Sequence, residues 1–284
     1  MTADEAVGAG RSFGEEGGLL TYGSYLRLPG LLAQQVPQVS PPAHDELLFI
    51  TVHQAYELWF QQLLHELTAV RDFMLPEPAR REDPPERPAE PGNAIWRARQ
   101  LLRRAHVIER LLISQIDVLE TMTPQDFLDF RAALAPASGF QSVQFRELEF
   151  LSGAKDPSFV KRFRSLTGAE RRRLDRRLAE PSLWDAYLGL LTARGLAAGD
   201  DGQVLAALVE VASDRGRHDD LWQLAESLLS HDELAGRWRA RHVQMVERQI
   251  GTKSGTGGST GAPYLRQRVP LRYYPLLWEL RDWL

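Results

Sequence analysis

The chain has no cysteine among its 284 residues. That excludes disulfides, thiolate zinc sites, iron–sulfur clusters, cysteine nucleophiles and any cofactor attached through cysteine sulfur. A metal held by this chain must sit on histidine, carboxylate or another oxygen. Lysine is confined to Lys155, Lys161 and Lys253, the other basic residues being arginine. An excess of charge is also missing. The 34 basic and 38 acidic residues leave a net charge of −4, which argues against a nucleic-acid or anionic-membrane binder driven by bulk charge. No stretch approaches the roughly 18 consecutive apolar residues of a membrane helix. The opening MTADEAVGAGRSFGEEGG is acidic and glycine-rich and carries no apolar signal region, so the reading is a cytoplasmic protein. There is no convincing run of alternating strands and no internal repeat.

What is present is helical. Apolar residues make up 43% of the chain, enough for a sizeable core. Residues 1–18 read as a flexible arm, and 19–284 as one large helical domain. The first ordered segment is expected from Leu19 to Leu32. From Glu46 to Phe73, the residues Phe49, Val52, Tyr56, Trp59, Phe60, Leu63, Leu67 and Val70 recur in steps of three and four, which predicts a long helix. Residues 76–91 hold six of the 17 prolines among charged residues, and are read as a helix–helix connection because helical patterns flank them. A second long helix follows over Asn93–Met122. Thr123 can cap the next one, with Pro124 in its first position. That helix ends near Ala135-Pro136, Ser138-Gly139 forms a turn, and another helix starts near Gln141. Shorter helices fill 157–200, two more are expected over Gln203–Leu229 and Glu233–Ile250, and a partly helical aromatic segment begins near Leu271. Between them lies a loop over 251–263 with five glycines in its first eleven residues.

That loop fails both nucleotide motifs. It lacks G-x-x-x-x-G-K-[ST], and residues 255–261 read G-x-G-G-x-x-G after a helix rather than a strand. It reads either as a mobile loop or as a lid whose Thr256, Ser259 and Thr260 meet a polar ligand group. His218-Asp219-Asp220 contains H-x-D, two-thirds of a non-haem iron triad, without an evident third ligand. The basic run Arg171 to Arg177 reads as a solvated helix face. His53 lies between Phe49 and Tyr56 on an aromatic helix face, and His242 shares a stripe with Trp238, Met245 and Val246. Each is either a core histidine satisfied by hydrogen bonds or part of a pocket. Two such histidines on separate helices of an all-α protein allow one to ligate a haem iron while the other lines the opposite side. Arg131, four residues after Phe127, is either a surface arginine or a clamp for a carboxylate.

Four blocks then carry a family resemblance: LTYGSYLRLPGLL (20–32), HDELLFITVHQAYELWFQQLLHEL (44–67), LETMTPQDFLDFRAALAPASGFQSVQFRELEFLSG (119–153) and WRARHVQMVERQIGTKSGTGGSTGAPYL (238–265). In these blocks the chain resembles the tryptophan 2,3-dioxygenase family. The resemblance implies an all-α bundle enclosing non-covalent b-type haem, and a homotetramer built as a dimer of dimers. It implies that His242 is the proximal iron ligand and His53 the distal residue meeting the indole N–H. Phe49 then packs on the indole, Arg131 pairs with the substrate carboxylate, and Thr256 contacts the amino-acid head group. Ser138 and Gly139 lie beside the haem in the distal pocket. Tyr22, Tyr25 and Leu26, next to the N-terminal arm, reach a neighbouring subunit's site. Phe127 stands where some members carry tyrosine, so a hydroxyl that helps hold the carboxylate is missing. The implied reaction inserts both atoms of O2 into L-tryptophan and opens the indole C2–C3 bond, giving N-formyl-L-kynurenine for tryptophan catabolism by the kynurenine pathway. Three alternatives stand beside it: a haem mono-oxygenase of the same superfamily that makes a 2-oxindole from tryptophan or a substituted tryptophan, a non-enzymatic haem-binding protein, and a helical interaction protein without haem.

Overall fold

The computed structural model describes residues 20–76, 91–162, 166–258 and 260–284. The expected arm over 1–18, nearly all of the proline-rich connection and Ser259 of the glycine loop lie outside the described residues. Every regular element among those described is helical. Two short helices, α1 (Tyr22–Tyr25) and α2 (Leu28–Leu32), precede the 31-residue α3 (His44–Met74). The 29-residue α4 (Pro91–Leu119) follows. Next come α5 (Pro124–Arg131), α6 (Val143–Ser152), α7 (Pro157–Arg162), α8 (Gly168–Ala179), α9 (Leu183–Ala193) and α10 (Asp201–Ser213). The 36-residue α11 (Arg215–Ile250), α12 (Ala262–Arg268) and α13 (Pro275–Glu279) complete the chain.

The periodicity of the sequence explains the packing. On α3, Val52, Tyr56, Phe60, Leu63, Leu67 and Val70 are all buried, each worth roughly 1.5–3 kcal/mol when fully removed from water. They meet α4 through Ala98, Leu102, Ala105 and Ile116. Both α3 and α11 pack along α4 far more than on each other, so a gap is left between them. The start of α5 follows its sequence signals: Thr123 accepts from the Asp126 N–H, Asp126 answers the Thr123 N–H, and Pro124 takes the first turn.

Two expectations need correction. The sequence suggests a break between Leu229 and Glu233, because Ser230, His231 and Asp232 are polar. The structure runs α11 straight through them, since His231 and Asp232 are buried and find partners inside. Asp232 accepts from the backbone N–H groups of Tyr273 and Tyr274 and from Trp278 Nε1, at 3.0, 3.2 and 2.9 Å. The break lies earlier, where the Asp214 side chain caps the new helix by accepting from the Arg217 N–H. The second correction concerns the basic run on α8. Arg172 is exposed, but Arg173 turns inward to the buried Glu147 at 2.6 Å, and Arg177 bonds Glu180 at 2.9 Å. Part of that face is thus spent on holding α8 against α6.

Candidate functional site

The gap between α3 and α11 is a cavity of about 290 Å³. Its floor is aromatic, with Tyr56, Phe60, Phe145 and Trp238 in edge-on and tilted contact. His53 and His242 both line it, the first from α3 and the second from α11. His53 Nδ1 lies 2.7 Å from the Phe49 carbonyl. A carbonyl only accepts, so Nδ1 carries the proton. Burial lowers the His53 pKa, although that hydrogen bond and the Glu57 charge act the other way. The ring is neutral near pH 7, and Nε2 keeps its lone pair.

His242 is pushed down to about 4, first by burial and then by the His53 charge. Trp238, one helical turn earlier, lies flat against it with 5.1 Å between centroids. Among the described residues, neither ring nitrogen of His242 has a hydrogen-bond partner. A neutral imidazole of this kind can offer a nitrogen to a metal.

The rim comes from α5 and the glycine loop. Arg131 lines the cavity and donates through Nη2 to the Ser254 carbonyl. Thr256 Oγ1 donates to the Ala137 carbonyl at 2.6 Å. At two of the loop's glycines a side chain does not fit. A Cβ on Gly257 would stand 2.5 Å from the Ser138 Cβ. Gly261 has φ +70° and its Cβ would meet the Lys253 carbonyl at 2.6 Å. The loop therefore lies closed over Ser138 and Gly139, both of which line the cavity.

Of the residues singled out from the sequence, the cavity brings together His53, Phe127, Arg131, Ser138, Gly139, His242 and Thr256. Phe49 stands one layer back, against His53 and Phe127 at 4.0 and 5.7 Å. Tyr22, Tyr25 and Leu26 are exposed and form no part of it. His218 of the H-x-D string is buried, with Glu210 at 3.7 Å, and no group of three metal-ligating side chains occurs among the described residues.

Sequence reasoning missed a charged wall. Arg146 and Glu149, one turn apart on α6, line the cavity with Arg239 and Arg268. Glu149 accepts from Arg146, and from Arg268 at 3.4 Å. Among the described residues Arg239 donates to neutral oxygens alone, the Tyr273 hydroxyl at 3.2 Å and the Leu271 carbonyl at 2.6 Å. Two guanidinium groups thus share one carboxylate while Arg239 pairs with none among the described residues, and the Nε of each of the three is buried without a partner among them. The only hint in the sequence was charge at a spacing of three inside the apolar stretch around Phe145 and Phe150.

The chain matches the family model described as "Tryptophan 2,3-dioxygenase" over residues 5–198 and 194–284. It is 64% identical over 271 residues to a tryptophan 2,3-dioxygenase of a Nocardioides species, covering 95% of this chain and 97% of the relative. It is 43% identical over 272 residues to one from Herpetosiphon aurantiacus, covering 92% and 97%. With one from Myxococcus xanthus it shares 38% over 277 residues, covering 93% and 89%.

Proposed function

The chain belongs to the tryptophan 2,3-dioxygenase family, and from that premise we propose that its cavity holds a non-covalent b-type haem on His242 and converts L-tryptophan and O2 to N-formyl-L-kynurenine. The observation that carries this reading is the pair of half-buried, neutral imidazoles from two different helices that line one largely apolar cavity. The residues fit the group. His242 offers an unprotonated nitrogen with no competing partner among the described residues. The aromatic floor suits a flat macrocycle, and the surplus positive charge of Arg146, Arg239 and Arg268 suits its two carboxylates. With no cysteine in the chain, attachment through cysteine sulfur is excluded.

The haem, when bound, supplies the activation of dioxygen. The chain's own residues do the rest. His53 Nε2 accepts the indole N–H and so fixes the face and tilt of the ring. Arg131 offers two parallel donors to the substrate carboxylate. Phe127 packs beside the indole, with Phe49 supporting it from behind. Thr256 and the closed loop meet the amino-acid head group and keep water out while the C2–C3 bond opens. Tyr22, Tyr25 and Leu26 complete the site of a neighbouring subunit in a homotetramer; their exposure here supports that placement. The protein works in the cytoplasm, in the kynurenine pathway, and no helix among the described residues is long and apolar enough to cross a membrane.

The test is single turnover. Haem-loaded protein is reduced anaerobically with tryptophan, oxygen is added, and the product is weighed. A gain of two oxygen atoms is expected. A gain of one would move the chain to the mono-oxygenases that make 2-oxindoles, a reading that the names of its relatives do not favour. Haem binding without turnover would leave a non-enzymatic haem protein.

A further inference from the structure

A second cavity of about 50 Å³ adjoins the main one, sharing Trp238 and Arg239 with it and carrying Glu109, Ser152 and His231 on its wall. Ser152 Oγ lies 2.9 Å from His231 Nε2, and His231 Nδ1 bonds Glu109 Oε1. That is the residue order of a hydrolytic triad, but Ser152 is fully buried, is also bonded to the Leu148 carbonyl, and borders a space too small for an organic substrate. The far end of the chain is what lacks a protein partner. Glu109 Oε2 is buried and accepts nothing among the described residues. Arg239, 5% exposed, has no carboxylate within ion-pair distance among them, and its Nε donates to nothing. An uncompensated guanidinium at such depth is costly. One free acceptor and one free donor belong to the lining of a single space. That space suits water, whose share of liquid volume is roughly 30 Å³, better than it suits an apolar gas.

We propose that this cavity is an internal water site in which water bridges Glu109 Oε2 to Arg239 Nε, making Glu109, which is already ion-paired with His231 through Oε1, a positioning residue of Arg239. Glu109 does not touch the main cavity; it acts on it through Arg239, which stands in both walls. The consequence for cofactor retention rests on the haem reading above, whereas the water site itself does not.

The experiment has two arms. A crystal structure of the purified protein, with or without haem, should show a water within about 3 Å of both Glu109 Oε2 and Arg239 Nε. A dry cavity overturns the proposal, and this arm needs no variant to fold. In the second arm, haem transfer to excess apomyoglobin is timed. Glu109→Gln should speed haem loss about tenfold, the value of one charge-assisted hydrogen bond. In an Arg239→Met background the same substitution should change nothing, because the group it positions is gone. An equal effect in both backgrounds would mean that Glu109 only supports the fold, and the proposal would fail. A protein that takes up no haem overturns the functional reading instead, and the water arm still decides this one.

Discussion

Trp238 and His242 lie face to face on α11, with ring centroids 5.1 Å apart and only 6° between their planes. They are one helical turn apart, the spacing at which side chains of a helix stack on the same face. Trp238 also meets Tyr56 at 6.2 Å and Phe145 at 5.2 Å, so its own ring is held from two sides. The plane of His242 is therefore set by the aromatic floor rather than by a hydrogen bond. Trp238→Leu should keep most of the burial and release that plane. The expected outcome is a protein that still takes up haem but shows a broadened or shifted iron–imidazole stretch in its Raman spectrum. An unchanged band would show that the tryptophan does not orient the ligand.

His242 itself should be indispensable for the cofactor. His242→Ala removes the unpartnered nitrogen and leaves only apolar and cationic contacts. Haem content after purification should fall sharply, and exogenous imidazole should restore part of it. A variant with full haem content and an unaltered Soret band would overturn the assignment.

The buried histidines predict how the haem-free protein responds to acid. Burial lowers His106 from 6.5 to about 4, helped by the His231 charge, and burial lowers His242 to about 4. His53 is also lowered. The unfolded chain therefore takes up protons that the folded chain refuses, and stability falls as pH drops from 6.5 toward 4. The full loss is about 3 kcal/mol for each of the first two. Glu109, raised chiefly by burial, acts in the opposite sense, as one group against three. His231 is raised, by the Glu109 charge and hydrogen bond against its burial, so its contribution stays constant below 6.5. Denaturant midpoints across this range should slide downward with acid; a flat profile would contradict the burial of these rings.

The glycine loop gives a steric prediction. Gly257→Ala would drive a methyl group against Ser138 Cβ, 2.5 Å away, so closure would be blocked at the rim. The expected result is a higher KM for tryptophan with little loss of stability, because the loop lies on the surface. Ser138→Gly added to Gly257→Ala removes the obstructing atom and should recover much of the lost affinity. Failure of that rescue would mean that the loop does not close against residue 138 during turnover.

The helices were legible because burial imposes a period on apolar residues, and α3 and α4 carry it almost without interruption. The reading failed where polar residues face inward. Ser230, His231 and Asp232 looked like a break, and nothing local reveals that Asp232 ties down Tyr273, Tyr274 and Trp278, some forty residues away. The same limit hid the charged wall. Arg146 and Arg268 meet at Glu149 only after α6 and α12 have come together. His53 and His242 stood out for the opposite reason, as titratable rings on otherwise apolar stripes. Spacing puts Phe49 one turn from His53 on the same helix face, and its ring lies 4.0 Å from the imidazole; spacing fixes that face and not the depth.

Arg131→Lys keeps the positive charge but loses the planar fork. It also loses a donor geometry that now ties α5 to the Ser254 carbonyl of the loop. Binding of tryptophan should weaken by about tenfold or more, the value of a charge-assisted hydrogen bond of roughly 1.5–3 kcal/mol. Binding of indole, which has no carboxylate, should change far less. Equal losses for both ligands would assign Arg131 to the loop alone.

His53 should tune the reaction without being required for it. Its Nδ1–H is committed to the Phe49 carbonyl, so the free Nε2 can only accept. A neutral hydrogen bond of that kind is worth roughly 0.5–1.5 kcal/mol net, at most about tenfold in rate or affinity. Replacing His53 by Ala leaves His242, Arg131 and the loop in place, and Phe49 is still held by Phe127 and Phe130. The variant should retain haem and measurable turnover of L-tryptophan. It should also discriminate less against 1-methyltryptophan, whose methyl group would otherwise collide with the imidazole and whose nitrogen has no proton to give. Activity against the two substrates, compared with wild type, separates the possibilities. Complete loss of turnover with haem intact would make His53 an obligatory acid or base. Unchanged discrimination would mean that the indole nitrogen points away from it.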